Sequence, residues 1–190
     1  MAKRADVLGE VLLSNGRFRL TRMLVEIEEQ DGEKRRIDHQ IYHYGRAAAV
    51  LPYDAERRVV LLVRQFRLAA FLATGALDLL EAPAGMLDGD APEVCAEREA
   101  MEETGVRIRE LTPAFNFLSS PAGMTETIAC FLARYSASDA VAAGGGVDSD
   151  ERIDRIELDA DEAFAKIERG EISDGKTVAL LSYAKAKGFI

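Results

Sequence analysis

The sequence is poor in cysteine: only Cys95 and Cys130 occur among its 190 residues. Two cysteines are too few for the disulfide framework of a small secreted domain. Neither has a metal-ligand partner at the short spacing of a zinc site. We therefore expect two reduced and mostly buried thiols in a cytoplasmic protein.

Long apolar runs and an excess of positive charge are also missing. No apolar run approaches the roughly 18–20 residues that cross a bilayer, and Asp6 and Glu10 interrupt the start of the chain, so we expect neither a membrane partner nor a signal peptide. Lysine and arginine total 24 against 33 acidic residues, a formal net charge of −9. A surface of that sign repels a phosphate backbone, which argues against a nucleic-acid partner. An anionic substrate would need cations concentrated locally.

Hydrophobic residues make up 48% and charged residues 30% of the chain, which is typical of a globular protein. Strand-like runs at 10–30 and 34–44 flank Asp31-Gly32, a dipeptide that favours a hairpin turn. An isolated hairpin is marginally stable in water. We therefore expect this one to pack on the main domain or on a second subunit.

From Arg46 onward the pattern is that of an α/β or α+β domain without an interdomain linker. Apolar runs predict strands at 47–53, 59–66, 76–83, 106–118, 127–136 and 152–158. Helical periodicity and capping residues predict helices at 93–104, from Asp159 or Asp161 to Arg169, and at 176–187.

The helix at 93–104 carries an acidic face. Glu99, Glu102 and Glu103 have the spacing that places side chains on one side of a helix, where like charges repel. A divalent cation would remove this repulsion, and carboxylate oxygens suit Mg²⁺. The alternative is a solvated acidic face in which Arg98 and Glu102 form an ordinary ion pair.

The segment 85–106 resembles the Nudix box. The matching positions are Gly85, Arg98, Glu99, Ala100, Glu102, Glu103, Gly105 and Val106. The loop between Gly85 and Arg98 is one residue shorter than in the family pattern. Counting back from Arg98 therefore places Asp90 at the first acidic position of the box, whereas counting on from Gly85 gives Ala91.

The resemblance extends over nearly the whole chain. Stretches at 64–67, 82–88, 92–105, 120–126, 143–153 and 170–178 are similar to bacterial GDP-mannose pyrophosphatases, in the nucleotide-sugar branch that also includes ADP-ribose pyrophosphatases. The resemblance implies a Nudix α/β/α sandwich with a mixed sheet at 45–190, and an N-terminal β extension at 1–44. It also implies a homodimer in which the N-terminal strands cross to the partner.

The same resemblance implies a Mg²⁺-dependent hydrolysis of a nucleotide-sugar, with GDP-mannose giving GMP and mannose 1-phosphate; Mn²⁺ is the alternative metal. It assigns metal ligation to the Ala84 carbonyl, Glu99, Glu103 and Glu151, and Glu102 could reach a second metal. Glu151 and Glu126 are the two candidates for the general base. The implied substrate contacts are Arg17, Asp38, His39, Gln40, Arg67, Ala84, Gly85, Met86, Glu103, Glu126, Asp150, Glu151 and Lys176.

The substrate and the class of function have alternatives. Arg17 and Asp38-His39-Gln40 depart from the relatives in the region that contacts the nucleotide, so ADP-ribose or another nucleoside diphosphate derivative is the first alternative. A non-catalytic sensor of nucleotide-sugars is the second, although such proteins usually have eroded box glutamates or a fused DNA-binding region. A plain α/β domain with an acidic surface helix is the third.

Residues 170–177 fit the phosphate-loop expression G-x4-G-K-[ST]. That loop follows a strand and opens onto a large parallel sheet. Here a helical pattern precedes it and only thirteen residues follow Thr177. We interpret the glycines as the end of one helix and the start of the next.

Overall fold

The computed structural model describes residues 1–146 and 152–190. Within these ranges the strands are β1 (Ala2–Asn15), β2 (Arg19–Glu29), β3 (Lys34–His43), β4 (Arg46–Asp54), β5 (Val59–Gln65), β6 (Leu79–Glu81), β7 (Ala84–Met86), β8 (Arg109–Leu118), β9 (Thr127–Arg134) and β10 (Ile153–Asp159). The α-helices are α1 (Leu68–Thr74), α2 (Pro92–Thr104), α3 (Ala160–Glu168) and α4 (Gly175–Ala186). The chain divides into an N-terminal unit (1–45 with 118–127) and a second unit (46–117 with 128–190).

The N-terminal unit is built on a three-stranded antiparallel sheet in the order β1-β2-β3. The predicted hairpin at Asp31-Gly32 is present: Gly32 has φ of 85°, and its N–H donates to the Glu29 carbonyl at 3.0 Å. β1 adds a third strand that begins at Ala2, before the strand pattern detected from residue 10. Cross-strand ion pairs such as Lys3–Glu28 and Arg22–Asp38 help to fix the register.

The segment 118–127 belongs to the same unit and is bound to the end of β3. The Tyr42 N–H donates to the Gly123 carbonyl at 2.8 Å, and the Thr125 N–H donates to the Tyr42 carbonyl at 3.1 Å. The Thr127 N–H then donates to the Gly45 carbonyl at 3.2 Å. The N-terminal sheet therefore supports the segment that carries Glu126.

The second unit has a seven-stranded sheet in the order β10-β5-β4-β9-β8, with β6 paired to β5 and β7 paired to β4. Alternate side chains of a strand point to opposite faces. On β4, Ala49 and Leu51 pack in the cluster that includes Leu180 and Leu181 of α4, and Ala48 and Val50 pack in the cluster that includes Cys95, Ala96 and Ala100 of α2. The sheet thus lies between α2 on one face and α3 with α4 on the other, which confirms the predicted α/β/α sandwich.

The helix boundaries agree closely with the sequence signals. α2 has Pro92 in its first turn and ends at Gly105, whose φ of 68° is the left-handed conformation that closes a helix. Asp159, one of the two candidate caps, accepts the N–H groups of Asp161 and Glu162 at the start of α3. Asp174 caps α4 in the same way.

Helix α1 was not predicted, and the strand predicted at 76–83 is reduced to Leu79–Glu81. α1 has only seven residues, none of them buried, and its N-cap Arg67 makes no side-chain capping bond. A helix that buries no apolar stripe leaves no periodic signal in the sequence. No helix in the described part of the chain has the length and apolar character to span a membrane.

Candidate active site

Two carboxylates of α2 lie inside the second unit. Cys95, Ala96 and Ala100 pack α2 against the sheet, and this orientation turns Glu99 and Glu103, one helical turn apart, toward β7. Glu99 is 9% exposed and Glu103 is 6% exposed. Glu102 is half-buried and lies closer to solvent. The acidic face is therefore divided: two of the three glutamates are buried against the backbone of the β7 region.

The backbone of Ala84 and Gly85 contacts these carboxylates. The Ala84 N–H donates to Oε2 of Glu103 at 3.3 Å. A Cβ atom placed on Gly85 would lie 1.9 Å from Oε1 of Glu99, a distance that no real contact reaches. Glycine is therefore required at position 85 for Glu99 to occupy its place. The structure thus brings together Ala84, Glu99 and Glu103, three of the predicted metal-site residues.

The electrostatics of this pair favour a cation. Burial, reinforced by the negative charge of Glu99, raises the pKa of Glu103 from its ordinary 4.5 to about 8. Two buried carboxylate groups beside a strand backbone form a set of hard oxygen donors, and a divalent cation among them would remove the repulsion. Among residues 1–146 and 152–190, no three His, Cys, Asp or Glu side chains converge closely enough to hold a metal. The predicted third carboxylate, Glu151, lies with Asp150 outside the described residues.

Arg98 holds the acidic side chains around it in place. Its guanidinium lies 2.7 Å from Glu99 Oε1 and 3.1 Å from Glu102 Oε2, and it donates to the Met86 carbonyl at 3.1 Å. Asp90 lies 3.5 Å from the same guanidinium. Ala91 is the N-cap of α2, so of the two alignments of the shortened loop, only the one through Asp90 places a carboxylate beside Arg98.

Arg67 and Lys176, two of the predicted substrate contacts, converge on Glu81. Arg67 makes a two-pronged contact, Nε to Oε1 at 2.9 Å and Nη2 to Oε2 at 3.0 Å. Lys176 Nζ donates to Oε2 of the same carboxylate at 2.9 Å and to Asp174 Oδ2 at 3.0 Å. Sequence reasoning missed Glu81; the available signal was an acidic residue at the end of the apolar run 76–83.

The 170–177 segment is a helix start, as we interpreted it. Asp174 accepts the N–H and the hydroxyl of Thr177 at the N-terminus of α4. The Thr177 hydroxyl oxygen in turn accepts the N–H of Ala82 at 2.7 Å. The start of α4 is therefore attached to the strand connection that leads to Ala84 and Gly85.

The other predicted substrate residues within the described ranges lie in the N-terminal unit. Arg17 is in the β1–β2 turn, with its guanidinium 5.5 Å from the centre of the Phe18 ring. Asp38, His39 and Gln40 are exposed on β3, where Asp38 pairs with Arg22 through two hydrogen bonds. Glu126 lies in the segment bound to the end of β3.

The chain is similar to known proteins over most of its length. The NUDIX domain model matches residues 43–181, well over half of the chain. GDP-mannose pyrophosphatase of Escherichia coli (strain SMS-3-5 / SECEC) is 41% identical over 184 residues, 96% of each chain. That of Shigella dysenteriae serotype 1 (strain Sd197) is 39% identical over 191 residues, covering 100% of both.

A solved structure has a similar fold over the whole chain. The crystal structure of an ADP compounds hydrolase matches with a TM-score of 0.75 and 16% identity, covering 100% of this chain and 99% of that one. The likeness at that identity concerns the fold. The family model and the two relatives show that the chain belongs to the Nudix family of hydrolases.

Proposed function

We propose that the protein hydrolyses the diphosphate of a nucleotide-sugar, with GDP-mannose as the first substrate to test and GMP and mannose 1-phosphate as products. The observation that carries the proposal is the proximity of two oppositely charged groups of side chains. The buried pair Glu99 and Glu103 contacts the Ala84–Gly85 backbone, and three residues before Ala84 the Glu81 carboxylate holds Arg67 and Lys176. A diphosphate with its metal needs this combination of carboxylates and cations. The choice of GDP-mannose follows from the two GDP-mannose pyrophosphatases that are 41% and 39% identical to this chain.

The metal we propose is Mg²⁺, with Mn²⁺ as the alternative. Its ligands would be the Ala84 carbonyl, Glu99, Glu103 and Glu151, with Glu102 able to serve a second ion. Glu102 already pairs with Arg98, so its service as a ligand would require that ion pair to rearrange. When bound, such an ion neutralises the diphosphate and lowers the pKa of the attacking water.

The remaining roles in the reaction belong to side chains of the protein itself. Arg67 and Lys176 hold the phosphate oxygens by charge-assisted hydrogen bonds. Arg98 fixes the orientation of Glu99, because it contacts that carboxylate and the Met86 carbonyl together. Glu151 or Glu126 takes the proton of the attacking water at a carboxylate oxygen.

We further propose that residues 1–44 are a dimerising extension of the Nudix domain at 45–190. β1 is an edge strand of 14 residues, and Val7, Val11 and Leu12 on it are each more than half exposed. A long edge with exposed apolar side chains is a site of association. In a dimer formed there, Arg17 and 38–40 would serve the nucleotide bound by the partner subunit.

A substrate panel tests the reaction. Purified protein with Mg²⁺ is incubated with GDP-mannose, other nucleotide-sugars and ADP-ribose, and the released nucleoside monophosphate and sugar phosphate are quantified. We expect the highest kcat/KM for GDP-mannose and no turnover after the metal is chelated. A preference for ADP-ribose would transfer the assignment to the first alternative, which the departures at Arg17 and 38–40 favour. Binding without hydrolysis of any compound would point to the sensor.

A further inference from the structure

Glu81 is a buried carboxylate with two cationic partners. Its side chain is 3% exposed, that of Lys176 is 12% exposed, and that of Arg67 is 42% exposed. Both oxygens of Glu81 are engaged, Oε1 by Arg67 and Oε2 by Arg67 and Lys176 together. The pKa of Glu81 remains below its ordinary value: burial acts to raise it, and the charges of Lys176 and Arg67 outweigh that effect. Glu81 is thus an ionised group shared between the two cations.

The shared carboxylate is tied to the backbone of the metal-binding segment. Lys176 also pairs with Asp174, the cap of α4, and Asp174 accepts the hydroxyl of Thr177. That hydroxyl accepts the N–H of Ala82, the residue that follows Glu81. Hydrogen bonds through Glu81 and Thr177 therefore fix the positions of the two cations relative to the stretch that leads into Ala84 and Gly85.

Glu81 carries a negative charge beside the proposed diphosphate site, and this needs an explanation. A negative charge beside a site for a diphosphate weakens anion binding by simple electrostatics. Arg67 and Lys176 repel each other, however, and without a carboxylate between them they would separate or, at Lys176, lose a proton in a buried environment. We therefore attribute the acidic group at this position to its effect on the spacing of the two cations.

We propose that Glu81 is a positioning residue for diphosphate recognition: it fixes Arg67 and Lys176 at one spacing, in register with the Ala84–Gly85 backbone. This inference rests on the proposed function. It assigns to Glu81 no contact with substrate or metal. Its effect passes through the two cations, so it should affect the binding of the diphosphate more than the metal.

The first test is Glu81→Gln, which keeps the size of the side chain and removes its charge. We expect kcat/KM for GDP-mannose to fall by about 10- to 100-fold, mostly through a higher KM, with the Mg²⁺ concentration for half-maximal activity unchanged. An effect of charge alone predicts the opposite sign, a lower KM, because a repulsive group has been removed. A lower or unchanged KM would overturn the proposal.

A second variant guards against a loss of folding. Glu81→Asp keeps the charge and withdraws the carboxylate by one methylene, so it should fold as the wild type does and still raise KM. A wild-type KM for Glu81→Asp, in a protein with a wild-type melting temperature, would contradict the need for an exact spacing.

The matched control is Glu157→Gln. Glu157 accepts a similar two-pronged contact from Arg57, at 2.9 and 3.1 Å, on β10. Loss of that contact changes stability without touching the two cations, so KM should stay at the wild-type value. If Glu157→Gln raises KM as much as Glu81→Gln does, the effect is a general loss of stability and the proposal fails.

A readout apart from activity separates this inference from the proposed function. A lysine ammonium held in buried ion pairs exchanges its protons slowly enough to give a ¹⁵N–¹H signal from Nζ. We expect that signal for Lys176 in the wild type, with loss or a large shift in Glu81→Gln and persistence in Glu157→Gln. An unaltered signal in Glu81→Gln would refute the positioning role, even if no nucleotide-sugar in the panel is hydrolysed.

Discussion

At the scale of single residues, the lack of a side chain at Gly85 leaves the space that the Glu99 carboxylate occupies. A β-carbon at position 85 would meet Oε1 of Glu99 at 1.9 Å and its Cδ at 2.2 Å. The obstructing atoms are the far end of a side chain, which can swing away at little cost to the fold. The cost of a side chain at 85 therefore falls on the position of Glu99.

We accordingly expect Gly85→Ala to lower kcat/KM by about 10-fold or more and to weaken activation by Mg²⁺, while the melting temperature changes little. Steady-state kinetics against Mg²⁺ concentration, with thermal unfolding in parallel, provide the measurement. Gly9→Ala is the control, since a Cβ at Gly9 meets no atom within 4 Å. Wild-type kinetics for Gly85→Ala would mean that Glu99 does not act from the place seen here.

Glu103→Gln removes one negative charge from the buried pair and keeps an oxygen that can accept the Ala84 N–H. With Mg²⁺ we expect kcat to fall by at least about 100-fold, since a ligand and its charge are lost. Circular dichroism should remain that of the wild type. A rate near the wild-type rate would exclude Glu103 from the metal site.

The same variant has a pH-dependent effect on metal-free protein. The pKa of Glu103 rises from 4.5 to about 8 on folding, so its ionisation destabilises the folded chain as pH rises from 4.5, and the loss is complete above about 8. Glu103→Gln should match the wild type near pH 4 and exceed its free energy of unfolding near pH 8 by on the order of a few kcal/mol. Urea unfolding with a chelator at both pH values measures this difference. Equal stabilities at pH 8 would contradict the raised pKa.

How far the site could be predicted depended on the distance between partners along the chain. Glu99 and Glu103 are one helical turn apart, so their common face follows from helix geometry. Glu81 is 14 positions from Arg67 and 95 from Lys176, and only the folded sheet brings them together. No local pattern distinguishes such a residue from an ordinary acidic residue at a strand end.

At the scale of elements, capping residues and burial explain which boundaries were predictable. α3 begins after Asp159, a cap predicted from the sequence, and α4 begins after Asp174, a capping residue type that was not among the predicted caps. α2 ends at Gly105 for an equally local reason. α1 lacks a side-chain cap and a buried apolar stripe, so no local sequence signal predicts it.

The attachment of α4 to β6 should be visible in stability. Thr177 is completely buried, and its hydroxyl both accepts the Ala82 N–H and donates to Asp174. We expect Thr177→Val, which has nearly the same shape, to lower the free energy of unfolding by about 1–3 kcal/mol because the Ala82 N–H is left without its acceptor. Thr177→Ser retains the hydroxyl and should lose less. Urea denaturation of the two variants compares them, and a Thr177→Val protein as stable as the wild type would mean that packing of the methyl group, rather than the hydrogen bond, matters.

At the scale of the whole molecule, the net charge of −9 and an anionic substrate are reconciled by local arrangement. Arg67 and Lys176 lie beside Glu81, next to carboxylates whose repulsion a divalent cation relieves. The overall charge is an argument about the protein surface as a whole, and it carries no information on a site of a few residues. Composition therefore limits the classes of partner, whereas the contacts of individual side chains determine the chemistry of the site.

Assembly is a property of the whole molecule, and β1 makes it testable. Its exposed Val7 and Val11, 63% and 58% accessible on an edge strand, should be buried in a homodimer. We expect wild type to have the mass of a dimer by light scattering after size exclusion. Val7→Lys combined with Val11→Lys should give a monomer, because two charges would have to be desolvated at the interface. Leu77→Lys, at a position 74% exposed outside β1, should remain dimeric. If the double variant is a folded dimer, association does not use this strand.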